Sequence, residues 1–285
     1  MGAFFETIPP SLVDWILAQK LLYIASAPLS GEGCINVSPK GITDRNGAGP
    51  FFGVIKEPTL DSSEKAVIRK FWYMDLTGSG IETTSHLHEP GNGRITVMLN
   101  AFEGPPRILR IYGKGTVLEY GTQAFNALVK SEGIKIIAGT RSIILVDIFQ
   151  VGTSCGFSVP TYDFTGYRTT LHEFFEKRVA AEEAGNRADG IERYWAFKNA
   201  WSMDGLPGMK RGVETGKTDA VKPIKKMVGP HAPLANGQLR PIKAAYSVGH
   251  LILVALLSSI FTGVAILLVL LYGPGASRSR ASKIW

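Results

Sequence analysis

Residues 71–115 constrain the fold more than any other stretch of the chain: FWYMDLTGSGIETTSHLHEPGNGRITVMLNAFEGPPRILRIYGKG. They read as strand, Gly/Ser-rich turn, short helix, strand, turn and strand. Phe71, Tyr73 and Asp75 alternate with Trp72, Met74 and Leu76, all strand formers up to the aspartate. Thr77-Gly78-Ser79-Gly80 breaks that strand, and residues 81–88 follow as a helix of one to two turns. Free backbone N–H groups, hydroxyls and a helix start converge there, which is a ready anion site. The turn is neither a Walker-type loop, since no Gly-Lys-Ser/Thr follows, nor a dinucleotide fingerprint, whose glycine spacing it lacks. Residues 94–102 and 107–112 form the next two strands, and Gly113 and Gly115 mark a bend or bulge. Arg107 and Arg110 lie on the last of them.

The rest of the chain extends this pattern. Residues 10–19 read as a capped helix and residues 20–27 as an apolar strand. Residues 34–40 pair with that strand in a hairpin, and residues 51–55 form a short strand. Residues 41–50 are turn-rich, and residues 56–70 give no assignment. A short helix at 123–131 precedes an apolar strand at 142–149, which runs on toward residue 159. Residues 167–184 and 191–200 are helices outside the sheet. The whole predicts a mainly β fold with peripheral helices, an antiparallel barrel over residues 1–208.

Charge divides the chain. Residues 205–245 carry a net +6 and residues 246–285 a net +3, which leaves −2 on residues 1–204 out of the total of +7. A near-neutral domain without a basic stripe argues against nucleic-acid binding. The two cysteines, Cys34 and Cys155, form no CxxC pair, which points to a reducing compartment rather than a disulfide framework. No signal peptide is visible at the N-terminus. Residues 209–245, rich in Lys, Pro and Gly, read as a basic flexible linker. From Ala244 to Ala276 there is no Asp, Glu, Lys or Arg. Residues 246–273 therefore read as one transmembrane helix and residues 274–285 as a short basic tail. A tail anchor with a cytosolic domain is the expectation, although the flanking charges do not fix the orientation.

Asn36-Val-Ser-Pro-Lys-Gly41, Tyr73-x-Asp-x-Thr-Gly-Ser-Gly-x-Glu-Thr83, Gly93-Arg-Ile95 and Phe102-Glu-Gly-Pro-Pro-Arg-Ile-Leu-Arg110 resemble the pyridoxamine 5′-phosphate oxidase-like family. Ser154-Cys-Gly-Phe-Ser-Val-Pro160 and Ser202-Met-Asp-Gly-Leu-Pro207 are similar to signatures of one of its branches. The resemblance covers roughly residues 4–207. It implies an FMN-binding split β-barrel, a homodimer with flavin at the subunit interface, and an oxidoreductase whose substrate the sequence does not name. On that resemblance Asn36, Ser38 and Lys40 contact the ring or the ribityl chain, with a backbone role for Val37. Thr77, Gly78, Ser79 and Thr83 cradle the phosphate, with Arg107 or Arg110 as counter-charge. Asp75 bonds the ribityl hydroxyls or caps the turn, and Lys40 is the candidate to stabilise reduced flavin. The better-known oxidases carry Ser-Arg-Lys where this chain has Gly-Ser-Gly. Their C-terminal Arg-Leu-x-Pro signature has no match here.

Other chemistry has less support. Glu82, His86 and His88 give two ligands on one helical face without a third, so no metal site is expected. No Gly-x-Ser-x-Gly elbow supports a Ser-His-Asp nucleophile. Cys155 reads as a small strand residue, and Trp195 and Trp201 as residues that pack a late helix on the barrel. Against the flavoenzyme stands a non-catalytic module: a dimeric split barrel that binds or senses flavin or a haem-like ligand, or a membrane adaptor.

Overall fold

The computed structural model describes residues 2–41, 50–57, 67–229, 232–233 and 248–272. The chain divides into two compact units, residues 1–240 and 241–285. In the first, eight strands form one antiparallel sheet that curls into a half-barrel: β1 (Ala3–Phe5), β2 (Leu22–Ser26), β3 (Asn36–Lys40), β4 (Phe52–Ile55), β5 (Lys70–Leu76), β6 (Arg94–Asn100), β7 (Ile108–Glu119) and β8 (Thr140–Ser154). Their spatial order is β3-β2-β6-β7-β8-β5-β4. The 15-residue β8 is the spine. One of its edges pairs with β7 along its length, and the other carries β5 and then β1.

The apolar run in β5 is buried on both faces, as a sheet covered on both sides requires. Phe71 and Tyr73 join Leu22, Ile24, Val97, Leu99, Ile111, Ile144 and Val146 in the main core, beneath α1 (Pro10–Leu17). Trp72 and Met74 face the other way, onto Phe125 of α3 (Gln123–Glu132) and Ile134. A third cluster, Ile81, Phe175, Ile191, Trp195 and Met209, knits the helical layer together. That layer holds α2 (Glu82–His88), α4 (Thr170–Glu183), α5 (Ile191–Tyr194), a π-helical turn over Trp195–Asn199, and α6 (Lys210–Thr218).

Helix α6 departs from the sequence reading, which placed residues 209–245 in a flexible linker. Its amides at Lys210 and Arg211 are capped by the Glu119 carboxylate, at 2.8 and 3.4 Å. Gly212 lies so close to the Trp195 carbonyl that a Cβ would sit 2.9 Å from its oxygen. Chain order continues through buried Val221 and the Ile224 N–H, which donates to the Phe197 carbonyl at 2.9 Å. Lysines dominate this stretch, but glycine and threonine on its inner side allow close packing. β7 runs further than the sequence indicated, β8 ends at Ser154, short of the expected run toward residue 159, and the short β1 was not anticipated. The turn-rich residues 42–49 and the unassigned residues 58–66 lie outside the described residues.

The second unit contributes α7 (Val248–Tyr272), a 25-residue helix. Gly249–Tyr272 contains an 18-residue window with a mean hydropathy of 2.7 and is long and apolar enough to cross a membrane.

Gly113 sits where the β7–β8 register shifts. A Cβ there would lie 2.4 Å from a Val146 methyl and 2.6 Å from the Asp147 carbonyl oxygen. Because the oxygen belongs to the backbone spine, it yields only by distorting the ladder. Gly113→Ala is expected to cost about 2–3 kcal/mol, read as a lower urea midpoint of the full chain.

Candidate functional site

The Gly/Ser turn after β5 is built around one buried carboxylate. Asp75 is 1% exposed, at the end of the strand face that also carries Phe71 and Tyr73. Its Oδ1 accepts from Lys40 Nζ at 2.7 Å, and its Oδ2 from Arg141 Nε at 2.8 Å. Lys40 comes from the end of the edge strand β3. Arg141 is present because of a bulge: Asp75 pairs with Ser142 and Leu76 with Thr140, leaving Arg141 as the extra residue. A bulge re-aims a side chain, and here it turns the guanidinium onto Asp75. Burial alone would raise the Asp75 pKa, but the two cations and their hydrogen bonds hold it at about 2.

The same guanidinium reaches the turn, where Arg141 Nη1 donates to the Gly80 carbonyl at 2.6 Å. Asn199 Nδ2 donates to the Gly78 carbonyl at 2.8 Å. A trans peptide points its N–H opposite to its C=O, so drawing the Gly78 carbonyl inward directs the Ser79 N–H outward. Among the described residues, the amides of Gly78, Ser79 and Gly80 and the Ser79 hydroxyl have no protein acceptor. Ser79 and Gly80 are exposed, and a Cβ built on Gly78 meets no atom within 4 Å. The turn is therefore an outward-facing set of donors on a fixed frame, and such a set fits a phosphate.

Thr77 belongs to the frame. It is fully buried, its N–H and Oγ1 both donate to the Gly139 carbonyl, at 2.8 and 2.7 Å, and Oγ1 accepts from the Trp195 indole at 2.9 Å. The next amide, that of Ile81, is taken by Glu82 Oε2 at 2.8 Å. The other oxygen of Glu82 accepts from the Met203 N–H at 3.3 Å and lies 3.7 Å from Lys226 Nζ. Burial depresses the Lys226 pKa to about 8, against the pull of Glu82.

The β3 residues form a second cluster. Asn36 Nδ2 donates to Ser38 Oγ at 3.0 Å and to Thr83 Oγ1 at 3.1 Å. Asn36, Ser38 and Lys40 thus share one face of β3. Val37 points the other way, 60% exposed, and its backbone pairs with Ala25. The structure brings Asn36, Ser38, Lys40, Asp75, Thr77, Gly78, Ser79 and Thr83 into one neighbourhood. It does not bring Arg107 or Arg110 to the turn within this chain. Arg107 lies over the Trp15 ring, 5.3 Å from its centroid, and Arg110 is registered with Gly152, at the far end of β8 from Ser142. The arginine that does bond the turn is Arg141. The only sequence signal for it was a cation at the start of an apolar strand, and the bulge that aims it left no mark.

His86 also acquires a role. It is fully buried, with Nδ1 2.9 Å from Ser26 Oγ and Nε2 3.4 Å from Asp204 Oδ2. The Ser-His-Asp set is closed to a substrate in this chain, since Ser26 at the end of β2 and His86 of α2 are both buried. It is a tie from the sheet through α2 to the loop at residues 201–209. Asp204 Oδ1 extends the tie by accepting the Cys34 N–H at 3.1 Å. No group of three or more metal-ligating side chains occurs among the described residues.

The chain is 39% identical over 215 residues to the pyridoxamine 5′-phosphate oxidase family protein ustO of Aspergillus flavus, an alignment covering 73% of this chain and 78% of that protein. The chain belongs to the pyridoxamine 5′-phosphate oxidase family. No protein-family model matches it. Among solved structures it is similar to HupZ from Group A Streptococcus, at 16% identity and a TM-score of 0.32, covering 50% of this chain and 91% of that one. A putative pyridoxamine 5′-phosphate oxidase from Corynebacterium glutamicum aligns at 8% identity and a TM-score of 0.33, covering 54% and 97%. The FAD binding protein from Mycobacterium smegmatis aligns at 9% and 0.31, covering 53% and 97%.

In this family member Asp75 ties stability to acid pH. Its folded pKa of about 2 lies below the ordinary 3.8. The stabilisation is therefore complete above about pH 4 and is lost as pH falls through about 2, a change of about 2 kcal/mol. Asp75→Asn, which strands Lys40 and Arg141, is expected to cost about 3–5 kcal/mol near pH 7. Urea titrations from pH 7 to 2 should show the gap between wild type and variant narrowing by about 2 kcal/mol, and only in the last two pH units.

Proposed function

We propose that this chain is an FMN-dependent oxidoreductase of the pyridoxamine 5′-phosphate oxidase family, held at a membrane by its C-terminal helix. The observation that carries the reading is the turn at Gly78–Gly80, whose carbonyls are held inward by Asn199 and Arg141 while its amides face out. Family membership gives that cradle a phosphate to hold. The amides of Gly78, Ser79 and Gly80 and the Ser79 hydroxyl would take the phosphate. Arg141 and Lys40, which together outweigh Asp75 by one positive charge, supply the field. Asn36 and Ser38 on β3 would face the ribityl chain or the ring. When bound, FMN supplies hydride or single-electron transfer.

The protein's own part is orientation. β3 pairs only with β2 among the described strands, so half of its backbone groups are free to contact a flat ligand. The same edge exposes Ile35 and Val37, which supports a homodimer meeting along it. A second reading, a non-catalytic flavin-binding or sensing module, is favoured by the engagement of Lys40 with Asp75, which leaves that ammonium less free to answer charge on a reduced ring. Turnover of reduced nicotinamides by the loaded protein separates the two.

The binding test compares FMN with riboflavin. The purified chain should take up FMN and show the visible bands of an oxidised flavin after gel filtration. Ser79→Asp puts a carboxylate at an exposed position without a protein partner. It should weaken FMN by about tenfold or more and leave riboflavin unchanged. Equal loss of both ligands would place the phosphate elsewhere, and a colourless protein would end the flavin reading. For the anchor, 25 residues at ~1.5 Å each span about 37 Å, more than the ~30 Å of a hydrocarbon core. The full chain should sediment with lipid vesicles through an alkaline wash, while a chain ending at Arg240 stays in the supernatant.

A further inference from the structure

A cavity of about 320 Å³ opens beside the C-terminal end of α1 and shares no lining residue with the turn at Gly78–Gly80. Trp15, Phe102, Tyr162 and Phe164 are among its walls. The rings are fixed from several sides. Phe102 and Tyr162 meet edge to face at 5.3 Å, and the Tyr162 N–H donates to the Phe102 carbonyl at 3.1 Å. The Phe164 N–H donates to Glu103 Oε1 at 3.2 Å. Arg107 lies over the Trp15 ring and Lys20 over Phe164, at 5.3 and 5.8 Å. Aromatic faces backed by cations are pre-ordered to stack on another flat ring.

One polar group in this lining is unaccounted for. Asn100 ends β6, on the strand face opposite the core residue Leu99, and is 6% exposed. Its side-chain amide takes no protein partner among the described residues. The amide is not among the sealed-off polar atoms without a partner, so it faces the open cavity, where the polar edge of a ligand can reach it. The amide offers one donor edge and one acceptor edge in one plane, and its complement is another carboxamide or lactam edge. The charges of Lys20, Glu103 and Asp163 at the rim and of Arg107 behind Trp15 cancel, which suits an uncharged molecule.

We infer that this cavity is a binding site for a small, neutral, planar ring bearing a carboxamide or lactam edge. The ring stacks among Trp15 and Phe164 and the edge pairs with Asn100. The volume matches a single substituted ring and lies at the small end of ligand pockets. The assignment stands independently of the flavin reading.

The test uses the full chain in detergent, with nicotinamide as the probe and pyridine as the same ring without the amide. Saturation-transfer NMR should detect nicotinamide. Asn100→Leu, which keeps the volume and removes the polar edge, should weaken nicotinamide by about tenfold and leave pyridine unaffected. Phe164→Ala, on an exposed segment, should weaken both. A thermal melt of each variant confirms that it is folded. Absence of nicotinamide signal, or nicotinamide binding indifferent to Asn100→Leu, would overturn the site. Displacement of nicotinamide by FMN would overturn its separation from the flavin.

Discussion

Almost everything near the turn depends on a carboxylate that has been taken out of water. Removing Asp75 from solvent is costly, and only two cations at hydrogen-bond distance make it tolerable. Those cations come from opposite parts of the sheet, one from the edge strand β3 and one from the bulge at the start of β8. The carboxylate therefore joins strands that do not pair with each other. Arg141 also donates from Nη1 to the Gly80 carbonyl. A charge pair inside the sheet thus determines which way a surface peptide faces.

The helical layer completes the frame from the other side. Trp195 and Asn199 each place a side-chain N–H on the turn segment, one on the Thr77 hydroxyl and one on the Gly78 carbonyl. The loop at residues 201–209 is held in turn by Glu82, by His86 through Asp204, and by the Cys34 amide. Few of these residues would touch a ligand. They are polar groups satisfied by one another, and their combined effect is to leave a small set of backbone donors unsatisfied at the surface. Preorganised amides of this kind lose little entropy when an anion arrives.

How much of this could be read from the residues follows from the range of the forces involved. The strands of residues 71–112 were legible because period-two patterning and Gly/Pro turns are local signals. The continuation of β8 through Gly152 was legible from its apolar run, but not its reason: Gly152 is where β1 lays Phe4 across the strand. The donors of the turn were legible because Gly-Ser-Gly after a strand announces free amides. Arg141 was not, because a bulge is a product of pairing between distant strands. Thr77 was placed in the cradle on the family resemblance, and the buried indole that donates to its hydroxyl lies 118 positions away. The linker was misread from composition: the lysines and arginine of residues 210–218 hid a helix whose buried face is made of Gly212 and Thr215.

The π-helical turn at Trp195–Asn199 has a consequence for how this fold can vary. Each residue of an ordinary helix advances about 100° around the axis. A widened turn absorbs one extra residue and so shifts the angular phase of everything after it. In this chain the shift falls between the residue that grips Thr77 and the segment that leads into α6. Shortening the turn by one residue would rotate Asn199 away from Gly78 while leaving Trp195 in place. The family scaffold could thus lose the alignment of its surface amides without losing its core, so the length of this one turn is a dial that separates anion affinity from stability.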